Sequence, residues 1–480
     1  MDSKNLIHGD WVTPQGNTIM VYNPSAKGEV VGQLHLSDGA DMKQAGEAAR
    51  RALSSWASLT GPARANFLYR TAELMTQHLE DLAALASTEM GKPVSEMKGE
   101  VNRGIQLLKY YAAEGVRSDG SVIPASSKDV LQYTKRVPLG VVGIITPWNF
   151  PVAIPIWKIA PALICGNAVI WKPAEFASLT AVRVAELFVE AGLPAGVLNL
   201  VIGKGSVIGN VLLEEVDIDG VSFTGSTGTG MRVASQAAKR NIRYQTEMGG
   251  KNAAVVLRDA DLSITIPAVL SGAFRSAGQK CTATSRIIVE SAIYEEFSDA
   301  LQQEVNRLHI SHALDEKSYM GPVASQSQYE TVMNYVQMAA RDGEILTEGK
   351  AQVDVASGHY VMPLLVSGVS ASHPLVTEEI FGPVATILRA ADFDEALTLC
   401  NQTVYGLSAA VFTKDITNGF RFLDRAEAGM VRINQETAGV EYQAPFGGMK
   451  MSSSHTREQG QAALDFYSQT KTCAIYYGSN

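Results

Sequence analysis

Between residues 137 and 171 the chain carries a single charge, Lys158. A helix crossing a membrane needs about 20 apolar residues free of turn breakers. Here Pro138, Gly140, Gly143, Pro147, Pro151, Pro155, Pro161 and Gly166 divide the run, so it reads as short buried strands around one buried helix. The pattern predicts strand over 139–146, helix over 152–164 and strand over 168–171. A helix over 179–191 follows, stopped by Gly192 ahead of Pro194. Then come strand 198–202, helix 207–214 and strand 220–223. Strands alternating with helices predict a parallel, doubly wound α/β sheet. A second alternation begins after Glu247: strand 252–257, helix 262–274, strand 286–290, helix 292–308, and later strands at 360–365, 385–389 and 408–412. Ahead of both, 41–56 and 61–89 have helical spacing. The stretches 119–137 and 471–477 look like polar-edged strands outside both alternations and are expected to mediate contact between copies of the chain.

At 480 residues the chain exceeds what one core supports, so two large domains are expected. A net charge of −9, with no Lys/Arg block, argues against nucleic acid. Cys165, Cys281, Cys400 and Cys473 are scattered, with no CxxC pair, which suits free thiols in a reducing compartment. His309 and His312 lie close together but lack Cys or His partners at zinc-like spacing, so no metal is expected. The N-terminus has no apolar h-region, and a cytoplasmic location is expected. Gly203-Lys204-Gly205-Ser206 lacks the leading glycine of a P-loop and reads as a turn.

Three segments carry chemistry: Pro147-Trp148-Asn149-Phe150-Pro151 after a buried strand, Glu247-Met248-Gly249-Gly250-Lys251-Asn252 opening the second half, and Gly278-Gln279-Lys280-Cys281-Thr282 after a helix. Each alone has a plain structural explanation: a helix cap, a surface carboxylate, a small buried thiol. Together, with Glu378-Glu379-Ile380-Phe381-Gly382-Pro383 and Pro445-Phe446-Gly447-Gly448, they resemble the aldehyde dehydrogenase superfamily over essentially the whole chain. The resemblance implies two Rossmann-like doubly wound domains plus a small β oligomerisation extension. It implies an NAD(P)-binding domain from 1–118 and 138–246, rejoined by 450–467, a catalytic domain at 247–449, and oligomerisation strands at 119–137 and 468–480. It implies a homodimer or homotetramer.

The implied roles agree with the chemistry. A thiolate is the best side-chain nucleophile near neutral pH, so Cys281 attacks the aldehyde carbon. The Asn149 amide and the Cys281 backbone N–H stabilise the oxyanion. Glu247 is the base that activates water against the resulting thioester. For the cofactor, NAD with NADP possible, the resemblance implies Thr146, Pro147, Trp148, Lys172, Glu175, Gly225, Ser226, Gly230, Gly249, Glu379 and Phe381. The loop from Gly225 to Gly230 reads GxxGxG rather than GxGxxG, so the ordinary dinucleotide fingerprint is not met. Glu175, which resembles the ribose-binding acid, predicts a preference for NAD.

For the substrate, Arg275 matches a carboxylate-binding position of succinate semialdehyde dehydrogenases, on a helix aimed at Cys281. Their second arginine is replaced here by Trp157. Arg103 offers a guanidinium at another position expected to line the same tunnel, with Phe150, Trp157 and Phe446 as apolar walls. The plain alternative is that Arg103 pairs with Glu100 or Glu114. The stretch from Ala438 through Gly460 most resembles 2-oxoglutarate semialdehyde dehydrogenases, and a substrate with a remote carboxylate is expected. Succinate semialdehyde, a broad range of aldehydes, a CoA-acylating reaction, and a non-catalytic protein of the same fold remain alternatives. Cys281 is followed by Thr282-Ala283, so the CxC redox switch of some relatives is absent.

Overall fold

The computed structural model describes residues 2–117 and 119–478. Met1, Ser118 and residues 479–480, which the expected domain limits include, lie outside the described residues. Helix α1 (Val94–Glu114) crosses the first half of the molecule. The first sheet is built from β1 (Val141–Thr146), β2 (Ala168–Pro173), β3 (Leu198–Leu200), β4 (Gly220–Thr224) and β5 (Arg243–Glu247). They are mutually parallel, in the order β5-β4-β1-β2-β3, and an antiparallel pair, Asn5–Ile7 and Asp10–Val12, extends the β3 edge. Helix α2 (Ala153–Ile164) connects β1 to β2, and α3 (Thr227–Lys239) connects β4 to β5. Every residue of α2 and β2 is buried. Strands covered on both faces must be apolar throughout, which is why 137–171 is so poor in charge.

A four-residue link joins β5 to the second sheet. This sheet contains β6 (Asn252–Val256), then, after helix α4 (Leu262–Phe274), β7 (Thr284–Glu290), β8 (Leu364–Ser367), β9 (Val384–Ala390), β10 (Ser408–Phe412) and β11 (Met430–Ile433). Their order is β8-β9-β7-β6-β10-β11, all parallel, with a short antiparallel strand, Glu344–Ile345, on the β8 edge. Each sheet has apolar clusters on both faces. Ser468–Tyr476, Val130–Pro138 and Val122–Ile123 form a separate three-stranded antiparallel sheet. Among the described residues, no helix is long and apolar enough to cross a membrane.

Three elements differ from the expected ones. The helix expected over 61–89 is two helices, Gly61–Gln77 and Leu79–Met90, because His78 leaves helical geometry at φ −105° and ψ 20°. The strand expected over 360–365 begins only at Leu364, since Pro363 has no N–H to contribute to a ladder. Helix α4 ends at Phe274, so Arg275 stands beyond the helix. It opens a turn in which Ser276 (φ 56°) and Ala277 (φ 53°) are left-handed.

Candidate active site

The chain runs from β1 outward through β2 and β3, then returns to the other side of β1 for β4 and β5. Between β1 and β4 the connections diverge, which opens a crevice beyond their carboxyl ends. A cavity of about 220 Å³ lies there, lined by Pro147, Trp148 and Asn149 after β1, by Thr224, Gly225 and Ser226 after β4, by Gly249, and by Cys281, Glu379 and Phe381 from the second half. Residues from five separate segments thus meet at the seam between the sheets. The Phe381 ring stands edge-on to Trp148 at 5.4 Å, on a backbone held at φ 56°.

The turn before Cys281 and the loop at Asn149 are pinned from α1. Glu96 accepts hydrogen bonds from the Ser276 backbone N–H (2.9 Å) and hydroxyl (2.7 Å), which holds the left-handed turn that leads to Cys281. One turn along α1, Glu100 accepts from the N–H groups of Val152 and Ala153 at the start of α2. Carboxylates are favoured at such an N-terminus. The other oxygen of Glu100 pairs with Lys92 Nζ at 2.7 Å, both side chains being fully buried. Lys92 also donates to the Asn149 carbonyl at 2.6 Å and lies 3.7 Å above the Phe150 ring. The Asn149 amide donates one hydrogen to the Gln279 carbonyl at 2.9 Å. An amide NH₂ has two donors, so the second remains for a ligand beside Cys281. Burial, then the carboxylates Glu379 and Glu247, push the Cys281 thiol up.

Glu247 ends β5, paired in register with Thr224. Burial and the nearby Glu458 carboxylate push it well above the usual carboxylate range, while Ser453, Lys158 and Arg457 oppose the shift. Lys158, the lone charge of the apolar run, is fully buried, contacts Glu458 and donates to the Ser222 hydroxyl at 2.8 Å. Its presence in so apolar a stretch is explained by that partner, 300 residues away in the chain.

The crevice has the features of an anion and nucleotide cradle. Ser226 precedes α3 without capping it, and Thr224 Oγ1 and Thr227 Oγ1 are buried without hydrogen-bond partners. The first N–H groups of a helix in that position face an incoming anion. A Cβ on Gly230 would lie 2.4 Å from Met248 Sδ, and one on Gly249 2.1 Å from a Glu379 oxygen, so close packing explains both glycines. Gly225 would meet the Phe223 ring at 2.7 Å. Glu379, held by the Gly250 N–H at 3.0 Å, is pushed up to about 7 by burial. Thr146 lies buried at the end of β1 and accepts from the Trp171 indole at 2.9 Å. Near the end of β2, Lys172 Nζ stands 3.7 Å from Glu175, which follows the strand and accepts from the Gly205 N–H at 3.1 Å. Lys172 is pulled down by burial.

The two arginines expected in one tunnel separate. Arg103 lines a cavity of about 940 Å³ with Arg432, Ala438, Gly439, Val440, Met430 and Ala444. Met430 and Val440 pack in one apolar cluster with Phe446 and Cys281, so this cavity shares a wall with the nucleophile. Trp157 stacks at 5.4 Å on Phe446. Arg275 lines neither this cavity nor the one at Cys281 and instead lies 4.5 Å from the Tyr319 ring. The chain leaves the axis of α4 at Arg275, which is already extended at φ −60° and ψ 146°, ahead of the left-handed turn. The acids weighed as partners of Arg103 are taken: Glu100 by Lys92 and Glu114 by Arg117. Arg103 instead donates to the Gln459 side chain at 3.1 Å and is pulled down by burial. Arg432, which the sequence did not single out, donates to the carbonyls of Glu436, Ala438 and Gly439 and so shapes the cavity's rim. Lys92, Glu96, Ser453 and Glu458 were likewise not singled out, and Glu100 was weighed only as a partner of Arg103, because nothing in their local sequence marks the partners that they have in the fold.

The whole arrangement matches known proteins. The aldehyde dehydrogenase family matches residues 11–473, and the chain belongs to that family. It is 48% identical over 475 residues to an alpha-ketoglutaric semialdehyde dehydrogenase of Bacillus subtilis, covering 98% of this chain and 97% of that one. It is 40% identical over 475 residues to an alpha-ketoglutarate semialdehyde dehydrogenase of Haloferax volcanii, covering 98% of each. The betaine aldehyde dehydrogenase of Staphylococcus aureus, solved in complex with NAD+, superimposes with a TM-score of 0.95 at 33% identity and covers 100% of this chain and 96% of that one.

Proposed function

We propose that the chain oxidises an aldehyde bearing a remote carboxylate, with 2-oxoglutarate semialdehyde as the best fit, to the carboxylic acid through a thioester on Cys281. The observation that carries the substrate class is Arg103: a half-buried guanidinium in no ion pair among the described residues, with Glu441 acting on it only through its charge, in a cavity whose wall reaches Cys281. A partly desolvated cation held in no ion pair is costly, and a ligand carboxylate offsets that cost with bidentate geometry. The names of the two curated relatives agree with this class.

In this reading Cys281 Sγ bonds to the aldehyde carbon, and the free Asn149 N–H with the Cys281 N–H holds the oxyanion. Bound NAD(P)+ supplies the hydride acceptor, and the uncapped α3 start with Thr224, Thr227, Gly225 and Ser226 would hold its phosphates. Glu379 and Phe381 would contact the nicotinamide end, and Lys172 and Glu175 the adenosine ribose. Glu247 then takes the proton of the water that attacks the thioester, releasing the acid and restoring the thiolate. Residues 1–118, 138–246 and 450–467 serve the cofactor, and 247–449 the chemistry. The three-stranded sheet leaves Val122, Leu131, Ile475 and Tyr476 exposed, which supports its use with 119–137 and 468–480 as a homodimer or homotetramer contact. Sedimentation that returned only monomer would remove that last element. Four free cysteines support a cytoplasmic setting.

The test is a kcat/KM panel of aldehydes with and without an ω-carboxylate, with and without CoA. Arg103→Ala should cost about 2–5 kcal/mol on the anionic aldehyde, mainly in KM, and little on a neutral one of equal length. Equal losses on both would make Arg103 structural and the substrate class wrong. NADH formation that requires CoA would replace hydrolysis by acyl transfer. A second measurement addresses the cofactor. Glu175 would face a 2′-phosphate with like charge, so NAD+ should give the higher kcat/KM. Glu175→Ser should move the ratio toward NADP+ by at least about tenfold.

A further inference from the structure

The hydroxyl of Ser453 lies between two groups. It accepts from the Gly448 N–H at 2.6 Å and lies 2.5 Å from Glu247 Oε2. With the backbone donating to it, the one hydroxyl proton points to the carboxylate. Ser453 and Glu247 are also joined as an isolated antiparallel bridge, so the contact is set by backbone position as well as by the side chain. The second carboxylate oxygen, Oε1, is buried and has no hydrogen-bond partner. Next to it is Gly447, at φ 151°, where a Cβ would come within 3.0 Å of Oε1. One oxygen of Glu247 is therefore tethered, and the other is buried without a partner, packed close to the backbone of Gly447.

We infer that Ser453 is a positioning residue for the hydrolytic half of the reaction: it tethers Glu247 through Oε2, favours the ionised carboxylate, and presents Oε1 as the oxygen that accepts the water proton. This deepens the reading of Glu247 as general base and rests on it. The ionised form needs such help. Glu458 faces Glu247 with like charge, and Lys158, which could offset it, is engaged by Glu458 and Ser222. Arg457 supplies a further favourable charge, and the Cys281 thiol lies near enough for Glu247 to push it up. A hydrogen bond donated to a charged acceptor is worth about 1.5–3 kcal/mol, roughly a factor of ten or more. Since hydride transfer precedes the step that uses Glu247, the effect of losing this bond is confined to deacylation.

The experiment separates the two half-reactions. In Ser453→Ala the rate and amplitude of the NADH burst should match wild type. Steady turnover should fall about tenfold, and the acidic limb of its pH profile should move up by about one unit. Ser453→Thr, which keeps the hydroxyl, should restore both. In a Glu247→Gln background, adding Ser453→Ala should change nothing more, because the group it serves is gone. Burst amplitude counts the folded sites. Should alanine yield too few, Ser453→Cys, with its weak donor, carries the same expectations. An unmoved acidic limb, a burst slowed as much as turnover, or an equal loss in the Glu247→Gln background would each overturn the inference. Its failure is distinguishable from failure of the base assignment, because Glu247→Gln alone decides the latter by whether it keeps its burst.

Discussion

Glu247→Gln is expected to keep a single-turnover burst of NADH while steady turnover drops on the order of 10²–10⁴-fold, the usual contribution of a general base. Cys281→Ala should abolish the burst itself. The difference follows from the order of bond making. The thioester forms when the Cys281 thiolate, its proton released to solvent, attacks and hydride leaves, and after that release neither event needs a proton acceptor at Glu247. Release of the acid does need one, because water at neutral pH is a poor nucleophile without a base. Burial and Glu458 push Glu247 upward, so the acidic limb of turnover should lie well above the ordinary carboxylate range. Stopped-flow NADH traces on both variants make the comparison. Equal loss of burst and turnover in Glu247→Gln would show that the carboxylate acts before hydride transfer.

The second large effect belongs to a pair that touches no substrate. Lys92→Met is expected to lower stability by about 3–5 kcal/mol, because it leaves Glu100 as an uncompensated charge in a fully buried place. The double variant Lys92→Met, Glu100→Gln should recover much of that loss, since both charges go while the amide oxygen still accepts from the Val152 and Ala153 N–H groups. Lys43→Ala, which breaks an ion pair half open to solvent, should cost about 0–1 kcal/mol. Chemical denaturation of the three variants tests this. The same substitution removes the donor to the Asn149 carbonyl, so the burst should slow in Lys92→Met even where the protein is folded. That slowing should persist in the double variant, because stability and positioning are separate consequences. A double variant no more stable than the single one would show that Lys92 and Glu100 are not energetically coupled.

Much was open to reading in the chain alone, for physical reasons that differ by feature. Alternating buried strands and helices need continuous apolar runs and glycine or proline at the turns, so 139–223 announced a parallel sheet before any coordinates. Cys281, Asn149 and Glu247 stand in short segments whose local residues carry the resemblance to a family. Asn149 and Cys281 line one crevice, whose place beyond β1 and β4 is a property of the strand order, and Glu247 at the end of β5 lies near enough to push the Cys281 thiol up. Ends of elements were less legible. His78 and Pro363 changed them through single-residue geometry that periodicity averages away.

What only the tertiary structure decided is which groups share a buried charge. Arg275 and Arg103 looked alike as isolated guanidinium groups, yet one lies on Tyr319 and the other faces a cavity beside the nucleophile. Lys158 looked anomalous until Glu458 lay against it, and Ser453 looked like one of three serines in a row until its hydroxyl met Glu247. A local sequence pattern reports how each residue is disposed on its own strand or helix. The energy of a buried charge or hydrogen bond depends on its partner within a few ångströms, and here those partners are brought together across 200 to 300 residues by the packing of the two sheets.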